Sequence, residues 1–194
     1  MKNLIIVYTL AITAVSFTAC NNNKSASNST ATDSIKTANA PGQSGTSSKP
    51  ATAVNGLVGS YLELKNALAQ DNSKDAATAG KALADVFGKF DKSALSATQK
   101  KSFEDIADDA HEMAEHIGES AGKLPHQREH FDMLSKDMYD LVKLFGAGRP
   151  LFVDHCPMYN DKKGAIWLSE SKEIKNPYMG SGMSTCGNIK EELK

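Results

Sequence analysis

The chain has 194 residues, with 22 basic and 23 acidic side chains, a formal charge of −1 and 3 cysteines. That balance excludes a nucleic-acid binder, which needs a basic face to neutralise several phosphates, and it leaves covalent lipid as the expected route to a membrane. The length suits about one domain.

Met1-Lys2-Asn3 is a short basic start, and Leu4 to Val15 form an apolar run that is too short to span a bilayer but has the length of a signal peptide. Thr18-Ala19 and then Cys20 follow, and this junction resembles the lipobox of bacterial lipoproteins, with Phe17 standing where the pattern prefers Leu. The expectation is a signal peptide over 1–19 and a lipidated Cys20; the alternative is an ordinary secretory signal with an incidental cysteine. Two or more acyl chains give stable anchoring.

Of the 30 residues 21–50, 24 are Ser, Thr, Asn, Ala, Gly or Pro, and Ile35 is the only large apolar side chain. Such a segment buries too little surface to offset the entropy of ordering it, so 20–50 reads as a lipidated, flexible tether. No acidic cluster follows Cys20, and the expected location is the Gram-negative cell envelope, facing the periplasm.

Residues 51–194 are expected to form the folded part, and four helical patterns lead it. Val54, Leu57, Val58, Tyr61, Lys65 and Leu68 share one face until Asp71-Asn72. A second stripe starts near Ser73 and contains Ala76, Ala79, Leu83, Val86 and Phe90, its small residues permitting close helix approach. Ser96 and Gln99 form a capping box for a third helix, whose core face carries Phe103, Ile106, Ala107, Ala110, Met113, Ala114 and Ile117. Pro125 suits the first turn of a fourth, in which Phe131, Leu134, Met138, Leu141, Val142 and Phe145 lie inward until Gly146 ends it. The predicted fold is all-α, an antiparallel four-helix bundle with an irregular C-terminal extension packed on it. Within that extension Leu151-Phe152-Val153 and Ala165-Ile166-Trp167-Leu168 read as short strands or as extended segments.

The extension concentrates sulfur. Cys156, Met158, Met183 and Cys186 form a soft donor set of the kind that selects Cu(I), with His155 adjacent. In an oxidising compartment the same two cysteines suit a structural disulfide equally well, and unpaired buried thiols are a third reading. All five histidines lie between positions 111 and 155. His126 and His130 are four apart on one helix face, the spacing with which two imidazoles reach one ion, and His116 is expected nearby if the third and fourth helices form a hairpin. His111 belongs with the solvated acidic margin of Asp108, Asp109, Glu112 and Glu115. No haem attachment, zinc-protease, phosphate-loop or nucleophile-elbow motif is present, so catalysis is not expected.

The strings Cys156-Pro157-Met158, Gly164-Ala165-Ile166-Trp167-Leu168, Asn176-Pro177-Tyr178-Met179-Gly180 and Met183 with Cys186-Gly187 resemble an uncharacterised family of periplasmic domains of unknown function. Tyr61 to Leu68 and His126-Gln127-Arg128 with Phe131 are similar to the same family, which extends the resemblance over nearly all of residues 54–190. Its members occur as lipoproteins and as modules joined to adaptor subunits of heavy-metal efflux pumps. The resemblance implies a copper or heavy-metal binding module associated with efflux or tolerance, with His126, Cys156, Met158, Met183 and Cys186 as the matching candidate ligands. His130 and His155 enter from the residue reading alone. Met179 falls where an aromatic is expected to be tolerated and is left out of the set. The sequence shows no pump-adaptor hairpin, so the expected role is to bind, buffer or hand over an ion.

Overall fold

A computed structural model describes residues 48–193, and the expected signal peptide, Cys20 and most of the expected tether lie outside the described residues. Four long helices come first: α1 (Ser48–Ala69), α2 (Ser73–Gly88), α3 (Ala97–Glu119) and α4 (Leu124–Phe145). Each packs on the next, and α1 also packs on α4. Helix α1 begins at Ser48, three residues inside the expected tether. No described helix is long and apolar enough to cross a membrane.

The helix ends follow local chemistry. Asn72 accepts from the Asp75 N–H to start α2. Ser96 and Gln99 close a reciprocal capping box on α3, satisfying two amides that have no partner within the helix. Helix α2 stops at Gly88, so Phe90, expected on its stripe, sits in the following turn and stacks on Phe103 with ring centroids 4.1 Å apart. Where α2 crosses α3, Gly80 and Gly118 remove the side chains that would hold the backbones apart.

The extension is a small antiparallel sheet. Strand β1 (Leu151–Cys156) lies between β2 (Ala165–Ser169) and β3 (Asn188–Leu193), with Asp154 opposite Trp167 and Cys156 opposite Ala165. The first two strands were anticipated as alternatives to extended segments. The third was not, because Asn188 to Leu193 is mostly exposed and carries no alternating apolar pattern. The sheet lies against the helical layer. Tyr61, fully buried, shares a 2.8 Å hydrogen bond with Ser135 Oγ and accepts one from the Leu168 N–H, which ties α1, α4 and β2 together. Trp167, also fully buried, meets Tyr178 edge-on. Burying each large apolar side chain contributes about 1.5–3 kcal/mol, so the extension shares the helical core rather than hanging from it.

Candidate functional site

Cys156 ends β1, and its partner reaches it through a close backbone approach. The Sγ atoms of Cys156 and Cys186 lie 2.8 Å apart, both cysteines being free thiols. Gly187 makes this possible: at φ +147 it brings the chain so near β1 that a Cβ would fall 2.9 Å from Trp167 Cη2 and 3.0 Å from the His155 carbonyl oxygen. Asn176, fully buried, fixes the same loop from beneath. Its Nδ2 donates to the Cys186 carbonyl at 2.6 Å, and its Oδ1 accepts from the backbone N–H groups of Tyr178 and Met179.

The two thiols are electrically unequal. Burial pushes the Cys156 thiol up, but hydrogen bonds from Cys186, the Met158 N–H, the Asn176 amide and the Tyr159 N–H outweigh it and hold the group below its ordinary value. Cys186 moves upward because its proton is the one shared with Cys156, with desolvation adding to the effect. Cys156 is therefore the more acidic of the two thiols. A thiolate is the form that attacks disulfides and ligates metals. The turn supplying two of these donors is strained: Asn160, Asp161 and Lys162 all have positive φ, of 51°, 53° and 66°.

Met158 and Met183 border the pair through the backbone. The Met158 amide points at Cys156, and the Met183 carbonyl accepts from the Cys186 N–H at 3.0 Å. Both thioether side chains are exposed, at 46% and 43%. His155, a candidate ligand in the sequence, is not brought to the pair. It precedes Cys156 on a strand, so its side chain takes the opposite face, where its ring covers Gly164 closely enough that a Cβ there would fall 2.5 Å from Nε2.

The remaining histidines gather elsewhere. The α3–α4 hairpin places His116, His126 and His130 at one corner, with His130 stacked on His116 at 4.7 Å and edge-on to His126 at 4.5 Å. Gln127, fully buried, locks that corner: its amide donates to the Ser73 and Ile117 carbonyls and its Oε1 accepts from Ser73 Oγ. Burial, then the neighbouring His126 and the stacking partner His116, hold His130 below the ordinary imidazole value. His111 lies apart, 3.8 Å from Glu115. Among the described residues, no three His, Cys, Asp or Glu side chains converge as a ready metal set. The histidine corner and the cysteine pair share no hydrogen-bonding residue among those described.

Sequence reasoning missed Asn176 and Gln127 as the residues that hold these two places. A lone amide in a sequence carries no local signal of burial. Beside α4 a groove of about 610 Å³ is lined by Glu129, Asp132, Tyr159 and Asp161 among others, and its acidic rim is distinct from the sulfur pair.

Residues 57–149 match the model of a family described as a protein of unknown function (DUF3347). The helical part is similar to that uncharacterised family. The DUF3347 match ends before β1, so the sheet, Cys156 and Cys186 lie beyond the matched residues. No curated protein and no solved structure matches the chain.

Proposed function

We propose that this chain is a periplasm-facing lipoprotein of the Gram-negative envelope, anchored through Cys20, which binds Cu(I) or another soft heavy-metal ion at Cys156 and Cys186 in metal tolerance or efflux. The four long helices form an antiparallel up-down bundle in this reading, and a heavy-metal efflux complex is the partner class. The protein acts by binding rather than catalysis.

The observation that supports the reading is the pair itself: two unbonded sulfurs 2.8 Å apart, one of them acidified by four donors. Soft thiolates and thioethers favour Cu(I) over hard cations. Two thiolates about 2.3 Å from a shared ion stand roughly 3.8 Å apart in a tetrahedral site and about 4.6 Å apart in a linear one. Uptake therefore requires the sulfurs to separate by about 1–2 Å. Cys186 is the side that moves, because it is only partly buried and lies on a loop, whereas Cys156 is fully buried in β1. The exposed Met158 and Met183 lie two and three residues from the cysteines in the chain and are the further donors in this reading.

The same adjacency supports a second reading, a structural or interaction lipoprotein whose extension is stapled by a Cys156–Cys186 disulfide. Closing a loop of 30 residues stabilises by about 3–4 kcal/mol on the chain-entropy model. Titration of the reduced protein with Cu(I) against a competing chelator, after thiol counting, separates the two. One-to-one binding that Cys156→Ser weakens strongly supports the metal reading. Equal binding by the Cys156→Ser/Cys186→Ser double variant sinks it. Absence of free thiols in the purified protein, with a melting temperature insensitive to copper, establishes the staple.

A further inference from the structure

We propose that His126 and His130 form a second metal site, separate from the cysteine pair, for a borderline divalent cation such as Zn(II), Co(II) or Cu(II). The inference does not rest on the Cu(I) reading, since neither cysteine takes part.

The first observation is the bite. His126 Nε2 and His130 Nε2 lie 3.2 Å apart. Two imidazole nitrogens 2.0–2.1 Å from one tetrahedral ion are about 3.3 Å apart. The i,i+4 pair on α4 therefore holds its nitrogens near ligand spacing.

The second observation concerns where the ring protons sit. His130 Nδ1 lies 3.3 Å from Met113 Sδ, and His126 Nδ1 lies 3.5 Å from Glu129 Oε2. A thioether sulfur and a carboxylate oxygen both accept and neither donates. Protons on both Nδ1 atoms would meet these two acceptors and leave both Nε2 lone pairs, 3.2 Å apart, free for one ion. The outer contacts have the form that orients metal-bound histidines, in which the non-ligating N–H is held by a carboxylate or another acceptor.

His116 serves as a wall rather than a third ligand. Its ring lies face-on to His130, 10° from parallel, so neither of its nitrogens points between the other two rings, and its Nε2 is 3.5 Å from Glu112 Oε1. The remaining coordination positions open to solvent, because the His126 side chain is 47% exposed. Two protein ligands with open positions suit an ion that is exchanged rather than locked in place.

The full chain carrying Cys156→Ser and Cys186→Ser is titrated with Co(II), whose visible absorption reports its ligands. The expected result is one equivalent bound, with d–d bands and no thiolate charge-transfer band. Adding His126→Ala, an exposed position whose change leaves the helical circular dichroism intact, lowers the affinity at least tenfold, and Glu129→Gln lowers it about tenfold. Unchanged affinity in the His126→Ala protein overturns the proposal. So does an absence of Co(II) uptake by the parent, which would leave the pair an ordinary N–H···N hydrogen bond. Binding by the wild-type chain that is lost in the Cys→Ser parent shows one mixed site and also overturns it. Failure of Cu(I) binding elsewhere leaves this result unaffected.

Discussion

Asn176 donates its side-chain amide to the Cys186 carbonyl at 2.6 Å, and the same amide also helps to hold the Cys156 thiol below its ordinary value. One buried side chain thus bears on both the position of one sulfur and the acidity of the other. Asn176→Ala leaves the Cys186 carbonyl and the Tyr178 and Met179 amides without their partner. A loss of about 1–3 kcal/mol follows. The pH profile of Cys156 alkylation moves to higher pH, because a donor to the thiolate is gone. An unshifted profile would show that Asn176 only shapes the loop.

Arg128 links the extension to the helices. Its Nε donates to the Pro177 carbonyl at 2.8 Å, and its Nη2 donates to the Leu68 carbonyl at 3.0 Å and to Asp71 Oδ1 at 2.5 Å. Arg128→Ala is expected to cost about 2–4 kcal/mol, and Arg128→Lys does not restore it, since an ammonium cannot span three acceptors in a plane. Limited proteolysis reads the effect as faster cleavage near residues 176–182. Hydrogen bonds from the Ser181 hydroxyl and N–H, followed by Arg128, hold Asp71 down at about 2. Its folded value is below its unfolded one, so this contribution is present above about pH 4 and is lost as pH falls toward 2.

Asp154 gives the opposite pH dependence. It is fully buried beside the sheet, its two oxygens have no hydrogen-bond partner among the described residues, and its cross-strand neighbour Trp167 falls outside hydrogen-bond geometry. Burial raises it to about 6, with Lys65 opposing the shift. The folded state then binds more protons than the unfolded state between about pH 4 and 6, and stability falls as pH rises through that window, by up to about 3 kcal/mol. Asp137, raised to about 6 by burial and then by Asp109 and Asp140, has the same sign. Urea midpoints from pH 4 to 7 for Asp154→Asn and Asp137→Asn separate the two. Asp154→Asn is expected to flatten most of the decline, and an unchanged slope would remove Asp154 from the account.

Gly80 sets the α2–α3 distance. A Cβ there would lie 2.9 Å from both the Ala114 oxygen and the Gly118 nitrogen, which are backbone atoms of a packed helix and cannot swing aside. Gly80→Ala is expected to destabilise by about 1–3 kcal/mol despite its better helix propensity. Denaturant unfolding checks the sign: a more stable variant would show that the helices separate at little cost.

The helices were legible in the sequence because their signals are local. The Ser96/Gln99 box, Pro125 in the first turn of α4 and the 3.6-residue stripes through Phe103 and Phe131 each act within a few residues. The capping hydrogen bonds and inward faces they predicted are present. Boundaries slipped where tertiary contact decided them: Phe90 left the α2 stripe to stack on Phe103 from the next turn. Strand β3 was invisible, since it pairs through backbone groups and buries only Leu193 among its side chains.

The candidate sites divide along the same line. The residue types, the soft character of the Cys/Met set and the shared face of His126 and His130 belong to the sequence, because chemistry and helical spacing need no partner. Which of them meet was decided by the tertiary structure. Cys186 reaches Cys156 across 30 residues only because Gly187 has no side chain and Asn176 holds the loop. His155 is turned away from its neighbour by strand alternation, and His116 stacks on His130 because the hairpin corner is locked by Gln127. Contacts between distant segments depend on the shape of the whole core, and no window of sequence contains that shape.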